Sequence, residues 1–269
     1  MIKAVDSLLL TEGDHSANSG MLRFRRIRAE RQEVLVGEQI PLLTACGNSV
    51  FLVGGSGRLA RSEDDGASWE SAPFAVLSSG GLRAIGCDTD LLAAFQDGTT
   101  LSILRRQDDD LQLLATFDMP ATAGAAGQPG RFLVNPDDGL QLYLDNLVFQ
   151  STDSGRSWSL RAELPPGWSC LRPCLRADGS LIGAVLIEDA SEGLRNTFIV
   201  RSNDGGKTWC DPVCVTRKGE IPGDLLELPD GRLVLTYGQE TNPWGARAIL
   251  SAAGGETWEE PIYVLAVSR

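Results

Sequence analysis

The residues whose spacing most directly suggests chemistry are cysteines. Cys170-x-x-x-Cys174 and Cys210-x-x-x-Cys214 carry the separation of paired metal ligands, and thiolates of that kind bind zinc. Whether they can depends on the backbone beneath them. Both pairs fall in segments that read as strands, where residues four apart share a face but stand roughly 13 Å from each other, too far to hold one ion. The sequence therefore predicts no metal and no cofactor. It predicts buried thiols as the default for the six cysteines, with a cross-strand disulfide as the alternative. The acidic run Asp108-Asp109-Asp110 reads in the same way as a polar turn.

The elements that must position any site are set by a repeat. Ser202-Asn203-Asp204-Gly205-Gly206-Lys207-Thr208-Trp209 follows the pattern S-x-D-x-G-x-x-W. Ser62-Glu63-Asp64-Asp65-Gly66-Ala67-Ser68-Trp69 and Ser151-Thr152-Asp153-Ser154-Gly155-Arg156-Ser157-Trp158 share it, and Ser251 to Trp258 keeps the serine, Gly255 and Trp258 but not the aspartate. Four of the six tryptophans thus close one eight-residue motif, which marks a structural repeat. The motif is a tight hairpin in which a short carboxylate such as Asp204 accepts hydrogen bonds from its own turn. Gly206 supplies a positive φ, and Trp209 leaves the turn to cover neighbouring strands.

Between the motifs, Leu225 to Tyr237 reads as two strands around Pro229-Asp230-Gly231, and Leu171 to Ile182 as two around Asp178-Gly179. Asn135 to Leu140 repeats that turn. The gap from Ser62 to Ser151 is near twice the others, so a blade with an eroded motif is expected there, with a polar turn at Asp108-Asp109-Asp110 and an apolar restart at Leu113. Pro120 to Gly130 reads as the connection to the next unit. Ser7 to Leu10 and Met21 to Ile27 read as strands, with Glu33 to Val36 as an outer strand. Ile262 to Val267 is expected to complete this N-terminal blade and close a ring.

The eight-residue motif is the Asp-box, and the chain resembles the sialidase (neuraminidase) superfamily of β-propellers with BNR/Asp-box repeats. In that family the box joins the third and fourth strands of a blade, at the periphery and away from the central site. The resemblance implies an all-β fold, a six-bladed β-propeller formed as one domain over residues 1–269, with a structural role for the motif residues. A two-sheet sandwich would leave the four Trp-terminated hairpins a coincidence.

The same resemblance implies a chemistry. Sialidases hold a sugar carboxylate with arginines, attack the anomeric carbon with a Tyr activated by a Glu, and use an Asp as acid/base. A neutral nucleophile avoids repulsion by the substrate carboxylate, and arginines give charge-assisted, partly bidentate bonds to it. Tyr237-Gly238, Pro243-Trp244-Gly245 and Arg247 follow the family's order before the last box. They imply Tyr237 as nucleophile with Glu240 as its candidate partner and Arg247 as a carboxylate binder, for which Arg172, outside this stretch, is a second candidate. Thr11-Glu12-Gly13-Asp14-His15 is similar to an early family stretch and implies Asp14 as acid/base, although Thr11 stands where the family has Arg. Arg26-Ile27-Arg28 lacks the proline of the family's Arg-Ile-Pro. These departures leave a non-catalytic propeller, binding a glycan or a protein, as the alternative.

Composition narrows the partners. A formal net charge of −12 disfavours a phosphate-binding surface, so nucleic acid is not expected. An acidic sugar held by a local arginine cluster remains compatible with that charge. No stretch approaches the ~20 apolar residues of a membrane span. The apolar run near the N-terminus is short and broken by Asp6, unlike a signal peptide, so a cytoplasmic protein is expected.

Overall fold

A computed structural model describes residues 8–12, 23–27, 42–55, 57–73, 81–108, 110–120, 129–136, 138–189, 194–210, 212–217, 219–239, 244–251, 254–259 and 263–267. The secondary structure of these residues is strand and turn. β1 (Leu8–Glu12) and β2 (Arg23–Ile27) pair antiparallel. β3 (Leu42–Cys46), β4 (Ser49–Gly54), β5 (Arg58–Ser62) and β6 (Glu70–Pro73) form the first four-stranded meander. β7 (Gly81–Cys87), β8 (Leu91–Asp97), β9 (Thr100–Gln107) and β10 (Asp110–Asp118) form the second. β11 (Arg131–Asn135), β12 (Gly139–Leu144), β13 (Leu147–Ser151) and β14 (Ser159–Glu163) form the third. β15 (Trp168–Leu175), β16 (Leu181–Asp189), β17 (Leu194–Ser202) and β18 (Val213–Cys214) make a fourth group. β19 (Glu220–Glu227), β20 (Leu233–Gln239), β21 (Gly245–Ser251) and β22 (Tyr263–Val267) make a fifth, joined to the fourth by one parallel bridge, Asn196 to Glu220.

Every predicted turn on described residues falls where the sequence places it. The unit without the motif turns at Asp108, in positive φ, between β9 and β10. Asp178-Gly179 and Asp230-Gly231 close tight turns with both glycines at positive φ. The expected outer strand at 33–36, and most of the connection at 120–130, lie outside the described residues. One expectation is corrected. Tyr263 to Val267 pair with β21, Ala248 opposite Tyr263 and Gly245 opposite Val267, so this segment is the fourth strand in the sheet of its own unit, while it also lies beside β1. Antiparallel pairing to the preceding strand needs only a short connection, and the turn from Ser251 supplies it.

Each motif turn joins the third and fourth strands of its unit, and its hydrogen bonds explain the sequence. Ser62 Oγ donates to Asp64 Oδ1 at 2.8 Å and accepts the Gly66 N–H at 2.8 Å. Asp64 also receives the Ser68 N–H (2.7 Å) and Ser68 Oγ (2.6 Å), and Trp69 Nε1 donates to the Gly66 carbonyl at 3.0 Å. Ser151, Asp153, Gly155, Ser157 and Trp158 repeat that circuit. Ser202, Asp204, Gly206 and Thr208 repeat the serine and aspartate bonds. In the fourth motif Ser251 still accepts the Gly255 N–H, at 2.6 Å, but no aspartate is present to extend the circuit. The glycine matters for contact as well as for φ. A Cβ on Gly155 would lie 2.9 Å from Leu114 of the preceding unit, and one on Gly255 would lie 2.5 Å from Ile182.

The chain divides into two compact units, Glu33–Leu171 and Arg172–Arg269 with Met1–Gln32. In the first, the second and third meanders pack through Leu92, Ala94, Ile103, Leu142 and Phe149, with Trp158 stacked on Phe117 at 6.1 Å between ring centroids. The first and second pack through Phe51, Val53, Ala93 and Phe95. Cys46 at the end of β3 and Cys87 at the end of β7 form a disulfide. That corrects the default of buried thiols for these two, while Cys210 and Cys214 are exposed thiols and Cys170 is buried. In the second unit the core is Ile182, Ala184, Ile199, Leu225, Leu233, Leu235, Tyr237 and Ile249.

Candidate functional site

The polar residues that sequence reasoning singles out on the last strands gather at one end of one sheet. β21 runs from Gly245 to the motif turn at Ser251, so Arg247 lies at the end away from that turn. Its neighbour in register across β20 is Tyr237, whose partner on β19 is Pro222. One face of these three strands is therefore graded. Leu225, Leu233, Leu235 and Ile249 are buried towards the motif end, and Glu220, Tyr237, Gln239 and Arg247 follow at the other.

Glu220 is the residue that the sequence did not single out. It opens β19, is 2% exposed, and accepts the Arg217 N–H at 2.6 Å and Arg247 Nη1 at 3.2 Å. Its backbone carbonyl takes the Thr197 hydroxyl at 2.7 Å, which ties β19 to β17. Nothing local marks it: seventeen residues separate it from Tyr237, and only the β19–β20 register brings them together. That register contains a bulge between Pro222 and Asp224. At the bulge the Gly223 carbonyl accepts Arg172 Nε at 3.1 Å. Arg172, on β15, thus lies against the residue next to Tyr237's cross-strand partner. Four residues further along each segment, Arg176, just past the end of β15, pairs with Glu227 at 3.2 Å.

The structure therefore brings Arg172, Tyr237 and Arg247 to one region. Asp14, its neighbour His15, and Glu240 lie outside the described residues; Glu220 is the carboxylate found beside Tyr237. Electrostatics at Tyr237 are opposed to easy ionisation. Burial among core side chains, reinforced by the Glu220 charge, pushes its phenol up to about 12, against the weaker pull of Arg247 and Arg217. Arg247 is charge-compensated by Glu220. Among the described residues Arg172 forms no ion pair, so its guanidinium is the less committed of the two. Chemically, the region offers two cationic donors, a phenolic hydroxyl and one carboxylate. No group of three or more His, Cys, Asp or Glu side chains among the described residues is arranged to hold a metal ion.

Comparison with known proteins follows the architecture. No protein-family model matches the chain. It is 25% identical over 215 residues to a sialidase of Bacteroides fragilis, covering 75% of this chain and 37% of that protein. It is 28% identical over 163 residues to the xyloglucanase Xgh74A of Acetivibrio thermocellus, covering 53% of this chain and 19% of that protein. The chain thus spans well under half the length of either relative. Among solved structures, a protein of unknown function from Dyadobacter fermentans superposes with a TM-score of 0.59 at 17% identity, over 84% of this chain and 82% of that one. The GH93 α-L-arabinofuranosidase of Fusarium graminearum superposes with a TM-score of 0.53 at 14% identity, over 66% and 63%. Four-stranded meanders with these neighbours decide the class. The fold is a β-propeller. Its blades are the meanders described above, and Arg172, Tyr237 and Arg247 belong to the last two of them.

Proposed function

We propose that this propeller acts on glycans through the blade ends that carry Arg172, Tyr237 and Arg247. The observation that carries the reading is the convergence of those three residues, each implied by the sialidase resemblance, onto neighbouring strands away from the motif turns. The relatives and neighbours support the ligand class, since they include a sialidase, a xyloglucanase and an arabinofuranosidase. The specific form is exo-sialidase-type hydrolysis with retention. Arg172 and Arg247 bind the sugar carboxylate. Tyr237 Oη attacks the anomeric carbon while its proton passes to Glu220, and the glycosidic C–O bond breaks with a proton from Asp14 to the departing oxygen. Water then attacks the anomeric carbon of the tyrosyl glycoside, with Asp14 taking the water's proton, and the anomeric carbon–phenol oxygen bond breaks as Glu220 returns its proton to Tyr237.

A second reading is a propeller that binds a glycan without hydrolysing it. Tyr237 favours it: at 2% exposure among Leu233, Leu235 and Ile249, with its phenol pushed up to about 12, it is a poorly ionised and covered nucleophile. The absence of arginine at Thr11 points the same way. Hydrolysis of a fluorogenic sialoside by the wild type and by Tyr237→Phe separates the two. Turnover abolished by the substitution supports the first; no turnover with a thermal shift in sialic acid supports the second. Absence of both contradicts either form.

A further inference from the structure

Arg172 is held by a feature of β19 that the proposed chemistry leaves unused. Among the described residues its side chain makes a single hydrogen bond, from Nε to the Gly223 carbonyl at 3.1 Å. Gly223 is the extra residue of the bulge between Pro222 and Asp224, the one break in the β19–β20 register. Extra residues of this kind stand outside the regular ladder, turn backbone groups in new directions and recur beside binding sites. Gly223 has no cross-strand partner in β20, and its carbonyl is the one that receives Arg172.

The bulge is fastened from β20 by Thr236. Its hydroxyl accepts the Asp224 N–H at 2.9 Å and donates to the Asp224 carbonyl at 3.3 Å. Gly223 fits against it because it has no side chain: a Cβ there would stand 2.9 Å from Thr236 Oγ1 and 3.2 Å from the Thr236 carbonyl oxygen. Valine shares threonine's branched shape and preference for strands, so the hydroxyl is the part of Thr236 that this arrangement uses. Alternation along β20 puts Thr236 on the face opposite Tyr237, so its influence passes through the backbone. With Nε committed to Gly223, the fork of two Nη groups is what Arg172 presents to a planar anion. We propose that Thr236 is a positioning residue: by holding the Gly223 bulge it fixes the Arg172 guanidinium for an end-on, bidentate bond to the carboxylate of a sugar acid. This rests on the glycan reading above, and it adds the residue that sets the direction of the proposed carboxylate binder.

The test reads Arg172 first without ligand, by magnetic resonance of isotope-labelled protein. The Arg172 Nε–H signal is assigned by its disappearance in Arg172→Lys. It is expected to be protected from exchange with water in the wild type and in Thr236→Ser, and lost to rapid exchange in Thr236→Val and Gly223→Ala. Calorimetry with sialic acid follows. Thr236→Val raises the Kd about tenfold, while Thr236→Ser, which keeps the hydroxyl, stays within about twofold of the wild type. A role confined to stability would lower the Tm of Thr236→Val without moving the Nε–H signal or the Kd, and that result overturns the proposal. Loss of the signal in Thr236→Ser as well assigns the effect to packing of the methyl group and also overturns it. So does a Kd that stays unchanged in Thr236→Val although the signal is lost. The expected signals in a wild type that binds no sialic acid leave the positioning of Arg172 standing and overturn the glycan reading.

Discussion

Glu220 on β19 and Arg247 on β21 reach across β20 to form a 3.2 Å hydrogen-bonded ion pair, with Tyr237 of the intervening strand in their field. Both side chains are largely removed from water, so neither charge is well hydrated without the other. The pair is thus the structural foundation of the proposed site, and it also limits how freely Arg247 can serve a ligand.

Glu220→Gln removes one charge and leaves Arg247 buried and uncompensated. The expected loss is about 3 kcal/mol of stability, read from the midpoint shift in urea. The same variant lowers the Tyr237 pKa, because the Glu220 charge is one of the influences raising it. A phenolate titration monitored by ultraviolet absorbance checks this.

Tyr237 also sets an alkaline limit. Its folded pKa is about 12 and the ordinary value is 10.0. Between these, the unfolded chain releases a proton that the folded chain retains, so stability is highest below about pH 10 and falls as the pH rises towards about 12. Tyr237→Phe flattens this limb of the unfolding curve. If the variant and the wild type lose stability in parallel over that range, the phenol is not held as described.

The motif aspartates set the acid limit. Hydrogen bonds from the Ser68 hydroxyl and N–H, then Ser62, hold Asp64 at about 2, and Ser157 and Ser151 do the same for Asp153. At Asp204 burial opposes ionisation and is the largest single influence, yet the bonds from Thr208, Ser202 and Lys207 together still bring it to about 2. Carboxylates with lowered folded pKa stabilise the fold above about pH 4, and that contribution disappears as the pH falls towards about 2. These groups are exposed, so solvent screens the effect and only its direction is predicted. Replacing the three with asparagine lowers Tm at neutral pH and makes it less sensitive to acid. An unchanged acid dependence contradicts the circuit.

The legible and illegible parts of this chain divide by distance along the sequence. The motif turns are legible because Ser62, Asp64 and Ser68 close their hydrogen bonds within six residues, and Asp178-Gly179 and Asp230-Gly231 likewise act locally. Even the unit without a motif shows itself through motif spacing and the polar turn at Asp108. Resemblance marks Tyr237, Arg247 and Arg172 as candidates. It does not mark Glu220, because the β19–β20 register, with its bulge at Gly223, decides which carboxylate meets Tyr237. The sheet that β22 joins is illegible for a related reason: an apolar strand such as Tyr263 to Val267 carries no mark of its partner.

Cys46–Cys87 is another long-range feature, closing 41 residues of sequence between the first strands of two successive blades. Thiol titration of the unreduced, unfolded protein should count four thiols, and six after reduction. Loop-closure entropy puts the stabilisation at about 4 kcal/mol, so reductant shifts the unfolding midpoint down. Six thiols before reduction would contradict the pairing.

The central claim is that the end of the blades holding Arg172, Tyr237 and Arg247 receives a sugar. Thermal unfolding of the wild type and Arg172→Ala in increasing sialic acid, up to about 10 mM, tests it most directly, each protein being compared with its own ligand-free Tm. The account predicts a wild-type Tm that climbs with ligand concentration as mass action requires, and no such climb in the variant. A flat wild-type Tm, or an equal climb in both proteins, would contradict it.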